Sequence, residues 1–246
     1  IDGQVTSFQG ALQMNVKRVR KCQEGEYDPS NYMPITQRDI EEMYQELSEY
    51  IAMVKEPHLH ELLSGCFLKD KELAAKFKKH SAAKAVHHGF IGGLLEHTVS
   101  VAKFCAFLAD SYQILNKDLL LTAAIFHDIG KLDEISPFPK NDYTDEGNLL
   151  GHIYIGASMV SERCRAIEGF PKKLESELIH CILAHHGELE YGSPKKPAIA
   201  EALALSLADN ADAKLETIKE LFAGADEKLE WIGYQRLFES NLKRTM

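Results

Sequence analysis

Cysteine is scarce and scattered in this 246-residue chain. Cys22, Cys66, Cys105, Cys164 and Cys181 are odd in number, far apart and form no Cys-x-x-Cys pair. That argues against a disulfide frame or a thiolate zinc site and points to reduced core thiols in a cytoplasmic protein. No apolar run approaches the roughly 20 residues that a membrane span requires, so no membrane partner is expected. Positive charge is also in deficit: 28 Lys and Arg against 37 Asp and Glu give a net charge of −9. A protein that merely coats nucleic acid is thereby excluded. The local basic clusters, Lys17 to Lys21, Lys76 to His80 and Lys195-Lys196, read as solvated faces.

What is present is mostly helical pattern. The opening stretch differs: Gly3, Gly10 and the alternation in "QVTSF" and "LQMNVKRV" predict two short strands turning at Gly10. Residues 24–34, "EGEYDPSNYMP", read as a loop. From Thr36, taken as an N-cap with Asp39 three residues on, the period becomes helical, with Ile40, Met43, Tyr44, Leu47 and Ile51 on one face. Further helices are expected at about 58–68, 70–80, 92–113, 117–129, 148–168, 172–186, 198–222 and 226–244. The last carries Leu229, Trp231, Ile232, Tyr234, Leu237 and Phe238, more apolar surface than one face needs, and suggests a homo-oligomer contact. The expected fold is all-α behind a short β segment.

Several inward positions on these helices are polar. His97 shares a face with Leu94, Val101, Phe104 and Leu108, and His127-Asp128 directly follow the apolar "LLLTAAIF" before Gly130. His152 sits with Leu149, Ile153, Gly156 and Met159; His185-His186 follow "ELIHCILA"; Asp209 ends the uncharged run from Ala202 to Ala208. Singly, each has an ordinary explanation. A lone core histidine is common, and 11 His with 13 Asp produce on the order of half an HD pair by chance. Asp209 is harder to dismiss, because a carboxylate withdrawn from water needs a partner or a cation. Together, five helices deliver His or Asp to their inner faces in the order H, HD, H, HH, D. One or two divalent cations would satisfy every member, since imidazole and carboxylate suit Mn, Fe, Co, Ni or Zn.

The pattern H…HD…H…H…D on a helical bundle resembles the HD-domain metal-dependent phosphohydrolases. The stretches "HHGFIGGLLEHTVSVAKF", "AAIFHDIGKLDEIS", "YTDEGNLLGHI" and "LAHHGELEYGSPKKPAIAEALALSLADNADAK", from His87 to Lys214, are similar to the YhaM-type 3′→5′ exoribonuclease family. In that family an N-terminal OB-fold precedes the HD domain. Residues 1–34 resemble the last strands and linker of that OB-fold, which implies that most of it would be missing from a chain that opens at Ile1. Residues 35–246 would be the HD domain with its C-terminal helix.

The resemblance implies roles. His97, His127, Asp128 and Asp209 would hold a first metal ion, and Asp128 would bridge to a second held by His152 and His185. Mg joins the candidate ions. His186 would be a further ligand or a contact to the leaving phosphate, and Lys131 would neutralise a phosphate oxygen, Gly130 letting the chain turn. His87, His88, Tyr143, Ser193 and Lys195 would touch substrate. The implied reaction is hydrolysis of single-stranded RNA or short oligonucleotides to 5′-nucleotides by a two-metal-activated water. The alternative is an HD nucleotidase or a phosphodiesterase of small or cyclic nucleotides, although "GELEYGSP" lacks the GYP element of the cyclic-dinucleotide class. A binding factor with a structural metal is disfavoured, because structural sites are closed and thiolate-rich.

Overall fold

In a computed structural model of the chain, residues 1–8, 11–23, 25–27, 33–84 and 88–245 are described. They form two compact units, Ile1–Met33 and Pro34–Met246. The first unit holds an antiparallel pair, β1 (Asp2–Phe8) and β2 (Ala11–Arg18), in the register Gln4 to Asn15 and Thr6 to Gln13. The expected turn at Gly10 and much of the loop before Pro34 lie outside the described residues. Val5, Phe8, Leu12, Met14 and Val16 stay exposed, as two strands alone bury no face.

The second unit is helical. It contains α1 (Ile40–Met53), α2 (Pro57–Leu63), α3 (Lys71–Lys79), α4 (Gly93–Ser111), α5 (Lys117–Phe126), α6 (Lys131–Glu134), α7 (Asp145–Ala166), α8 (Lys172–Ala184) and α9 (Ala200–Gly224). A π-helical segment, Ser64–Lys69, continues α2. Asp39, and not Thr36, caps α1, its carboxylate accepting from the amides of Glu41 and Glu42. Thr36 lies one turn earlier, where its hydroxyl donates to the buried Glu96 carboxylate. Capping side chains also start α2 (Glu56), α3 (Asp70), α5 (Asn116) and α7 (Thr144), each accepting an otherwise unpaired amide.

Helices α4 and α5 are the centre of the core. From Leu119 to Phe126 every residue of α5 is buried, which explains why that stretch carries no charge. Leu94, Leu95, Val101 and Ala102 of α4 meet Leu178 and Ile182 of α8 and Leu205 of α9 in one apolar cluster. Each fully buried Leu or Ile contributes about 1.5–3 kcal/mol over its exposed state. Phe104 and Leu149, expected on inner faces, are exposed instead. Helix α7 breaks at Gly151, whose φ of 72° interrupts the helical path just before His152. No described helix is long and apolar enough to cross a membrane.

The expected helix at 226–244 is not one. Trp231–Gln235 (β3) pairs antiparallel with Ser240–Lys243 (β4) across a one-turn 3₁₀ segment, with Gly233 at φ 87° beside an irregularity in the register. Trp231, Tyr234 and Leu237 fall at helical spacing, which misled the periodicity, yet all three are exposed. Arg244, at the end of β4, folds back on the C-terminus of α9. Its guanidinium donates to the carbonyls of Phe222, Ala225 and Asp226, at and just past the end of that helix.

Candidate metal centre

The helices converge their polar residues on one point. Helix α4 presents His97, the turn after α5 presents His127 and Asp128, and α7 presents His152 just past its break. The turn after α8 presents His185 and His186, and α9 presents Asp209. His97, His127, Asp128 and His185 are almost wholly buried. His97 Nε2 lies 3.1 Å from His127 Nε2, 3.1 Å from Asp209 Oδ1 and 3.4 Å from Asp128 Oδ2. His127 Nε2 is 3.4 Å from the same Asp128 Oδ2. The other oxygen, Asp128 Oδ1, faces the opposite set: His152 Nε2 at 3.5 Å and His185 Nε2 at 3.7 Å.

The tautomers follow from the partners. His127 Nδ1 meets the Ala124 carbonyl at 2.7 Å, His185 Nδ1 the Ile182 carbonyl at 2.7 Å, and His186 Nδ1 the Tyr191 carbonyl at 2.9 Å. A carbonyl only accepts, so each Nδ1 carries the hydrogen and each Nε2 is left with a lone pair. His97 Nδ1 sits 2.7 Å from Asp212 Oδ2, and His152 Nδ1 3.0 Å from Glu134 Oε1, with the same result when those rings are neutral. Five imidazoles are thus anchored by Nδ1 and turn Nε2 towards one another. Such outer partners orient and strengthen metal-ligating histidines.

This arrangement fits divalent cations on its own evidence. His152 Nε2, His185 Nε2 and Asp128 Oδ1 are buried and lack any hydrogen-bond partner. Three acceptors facing each other leave nothing for a proton to satisfy except one of themselves. The donor atoms of His97, His127 and Asp209 lie within 4.8 Å of one another, as do those of His152, His185 and His186. Four carboxylates, Asp128, Glu134, Asp209 and Asp212, stand against Lys131 and the imidazoles. Burial opposes the charge of His97, but Asp209 and Asp212 outweigh it and raise its pKa to about 10. A proton on His97 therefore does part of what a cation would do there. Burial likewise opposes ionisation of Asp128, and Lys131 and His127 overcome it and hold the carboxyl well below its usual range. For His185 burial dominates, His186 and His127 push the same way, and Asp209 and Asp128 oppose them without prevailing, so its pKa lies well below 6.5.

Lys131 donates to Asp128 Oδ2 at 2.6 Å, and its pKa is raised because Asp128 outweighs the cost of burial. Gly130 has an ordinary right-handed φ of −65°, so no turn requires it. It is required by close approach: a Cβ there would stand 2.0 Å from the His152 carbonyl oxygen and 2.5 Å from the Gly156 amide.

A cavity of about 390 Å³ opens over this cluster, its wall including His88, Lys131, Tyr191, Asn210, Lys214 and Leu237. His88 is therefore at the site. His87 lies outside the described residues. Tyr143, Ser193 and Lys195 are not on the cavity wall. Ser193 spends its hydroxyl on the carbonyls of Leu183 and Lys195, and exposed Tyr143 lies 5.9 Å under the Lys84 ammonium. Sequence reasoning missed Asp212 and Glu134. Asp212 follows Asp209 by three residues and so shares its helix face, a usable signal. Glu134 sits on a single turn of helix, which has no periodicity to read.

The HD domain family model matches residues 94–214. The 3′-5′ exoribonuclease YhaM of Bacillus velezensis is 37% identical over 216 residues, which cover 87% of this chain and 67% of that relative. No solved structure matches the chain. On that identity and coverage the chain belongs to the YhaM-like HD-domain proteins, a family of metal-dependent phosphohydrolases.

Proposed function

We propose that the chain is a 3′→5′ exoribonuclease acting on single-stranded RNA or short oligonucleotides and releasing 5′-nucleotides. The observation that carries this reading is Asp128, one carboxylate whose two oxygens face two separate sets of imidazole nitrogens under one cavity. In this reading His97, His127, Asp128 and Asp209 hold one divalent cation. Asp128, His152 and His185 hold a second, with His186 as a neighbouring ligand or phosphate contact. When bound, such cations supply an ionised water at neutral pH and neutralise charge on a phosphoryl group. The name of the Bacillus relative supports RNA as the substrate.

The chain's own residues do the positioning. Glu134 and Asp212 fix the rings of His152 and His97. Lys131 holds the charge of Asp128, and an ammonium with three donors retains others for a phosphate oxygen. Lys214, on the same wall, adds a second cationic group. A cavity of about 390 Å³ is the size of a small-molecule site, which suits one terminal nucleotide of a flexible strand. The same size favours, as second reading, a nucleotidase acting on free nucleotides. Residues 1–34, of which Ile1–Met33 form a compact unit of their own, are read as a module distinct from the helical domain. Assembly through the exposed Trp231 and Tyr234 is checked by sedimentation, where a monomer at all concentrations would exclude it.

The test is a pair of single-stranded RNAs, labelled at the 5′ or the 3′ end, digested with Mn²⁺. Stepwise shortening of the first and immediate release of labelled mononucleotide from the second are expected. Intact RNA beside rapid turnover of free nucleotides would replace the exonuclease with the nucleotidase.

A further inference from the structure

His88 stands apart from the other imidazoles of the centre. Where those five turn Nε2 inward, His88 spends Nε2 on Asp212 Oδ2, 3.2 Å away, and leaves Nδ1 buried without a partner. Since a carboxylate only accepts, Nε2 carries a hydrogen, and when the ring is neutral Nδ1 is an acceptor. The residue is held rigidly. It is buried, its φ is 60°, in the left-handed region that side chains rarely adopt, and its carbonyl accepts from the Ala82 amide at 3.0 Å. Gly93 backs it so closely that a Cβ there would stand 2.0 Å from that carbonyl oxygen. A strained, fixed residue with an unused buried acceptor on a cavity wall is arranged for a ligand.

The ligand group must bring a hydrogen. A phosphate dianion has none to give. A cation between His88, His97 and Asp212, whose donor atoms lie within 4.8 Å of one another, would meet the two ring hydrogens already aimed at Asp212. A base N–H differs from nucleotide to nucleotide, whereas every nucleotide has a sugar, and its hydroxyls both donate and accept. We propose that His88 Nδ1 accepts a hydrogen bond from a sugar hydroxyl of the 3′-terminal nucleotide, so that His88 is a specificity-determining residue. This rests on the exoribonuclease reading above.

The test compares three oligonucleotides, identical except for a ribose, 2′-deoxyribose or 3′-deoxyribose at the 3′ end, with the wild-type protein and His88→Phe. The wild type should lose at least tenfold in kcat/KM on one of the deoxy ends, and which one names the hydroxyl. His88→Phe should fall to that lower rate on the ribose end and lose nothing further on the deoxy end, with its metal content unchanged. Should His88→Phe fail to fold, His88→Asn, which tolerates a left-handed φ, is held to the same comparison. An unchanged preference in the folded variant, or equal wild-type rates on all three ends, would overturn the proposal. A wild-type protein that leaves every strand intact would instead overturn the exoribonuclease reading beneath it.

Discussion

Glu134 lies outside the donor set, yet its removal should weaken cation binding. One oxygen of its carboxylate accepts from both the backbone amide of His152, at 2.9 Å, and the ring Nδ1, at 3.0 Å. Burial works against its charge, but the His152 contacts win and its pKa is lowered. In Glu134→Ala the ring is free to rotate its Nε2 away from Asp128. A hydrogen bond to a charged group contributes ~1.5–3 kcal/mol. At 1.4 kcal/mol per factor of ten, loss of the ring contact implies affinity weaker by about 10–100-fold. Glu134→Gln keeps an oxygen in place without its charge, so about three- to tenfold is expected, a neutral bond contributing roughly half as much. Calorimetric titration of Mn²⁺ into chelator-stripped protein measures both, and only the step assigned to the His152 side should weaken. If Glu134→Ala binds within about twofold of the wild type at unchanged helical content, orientation of His152 by Glu134 is refuted.

Other outcomes follow from the same centre. Elemental analysis of protein purified without chelator should find close to two divalent ions per chain; finding none would remove the centre. Asp128→Asn should cut hydrolysis of bis-p-nitrophenyl phosphate by about a hundredfold or more while far-UV dichroism stays near the wild type. Gly130→Ala should destabilise the fold, since its methyl meets backbone of α7 that cannot swing aside; a urea midpoint equal to the wild type would contradict the contact. In chelated protein, stability should be greatest near neutral pH. Below about 6.5 the unfolded chain takes up protons that the depressed His185 and His186 refuse when folded, costing up to about 1.4 kcal/mol per pH unit for each group. Above 6.5 the stabilisation from His97, whose folded pKa is about 10, fades until the pH passes that value. Urea midpoints from pH 5 to 10 test both limbs, and a monotonic profile would contradict them.

How much of this was legible in the sequence depended on the length of each pattern. His127-Asp128 was readable because eight uncharged residues of α5 led up to it and four other helices carried matching anomalies. Asp209 stood out at the end of an uncharged run, and its conspicuousness hid Asp212, one turn further on the same face. Glu134 had no pattern around it, because α6 is a single turn and its partner His152 is 18 residues away. The C-terminal hairpin was misread as a helix because Trp231, Tyr234 and Leu237 recur every three residues; Gly233 was the overlooked strand signal. Gly130 was expected for a turn and serves instead as a gap between two backbones, a distinction that only three dimensions can make.

His127 and His185 both anchor to the carbonyl three residues earlier, in the last turns of α5 and α8. The carbonyl end of a helix carries roughly half an elementary negative charge, the sum of aligned peptide dipoles. Two such ends meet at this centre, so its attraction for cations is partly a property of the backbone. Substituting a ligand leaves that contribution in place. Residual binding of divalent ions by ligand-deficient variants is therefore expected from the course of α5 and α8, and should decline with rising ionic strength.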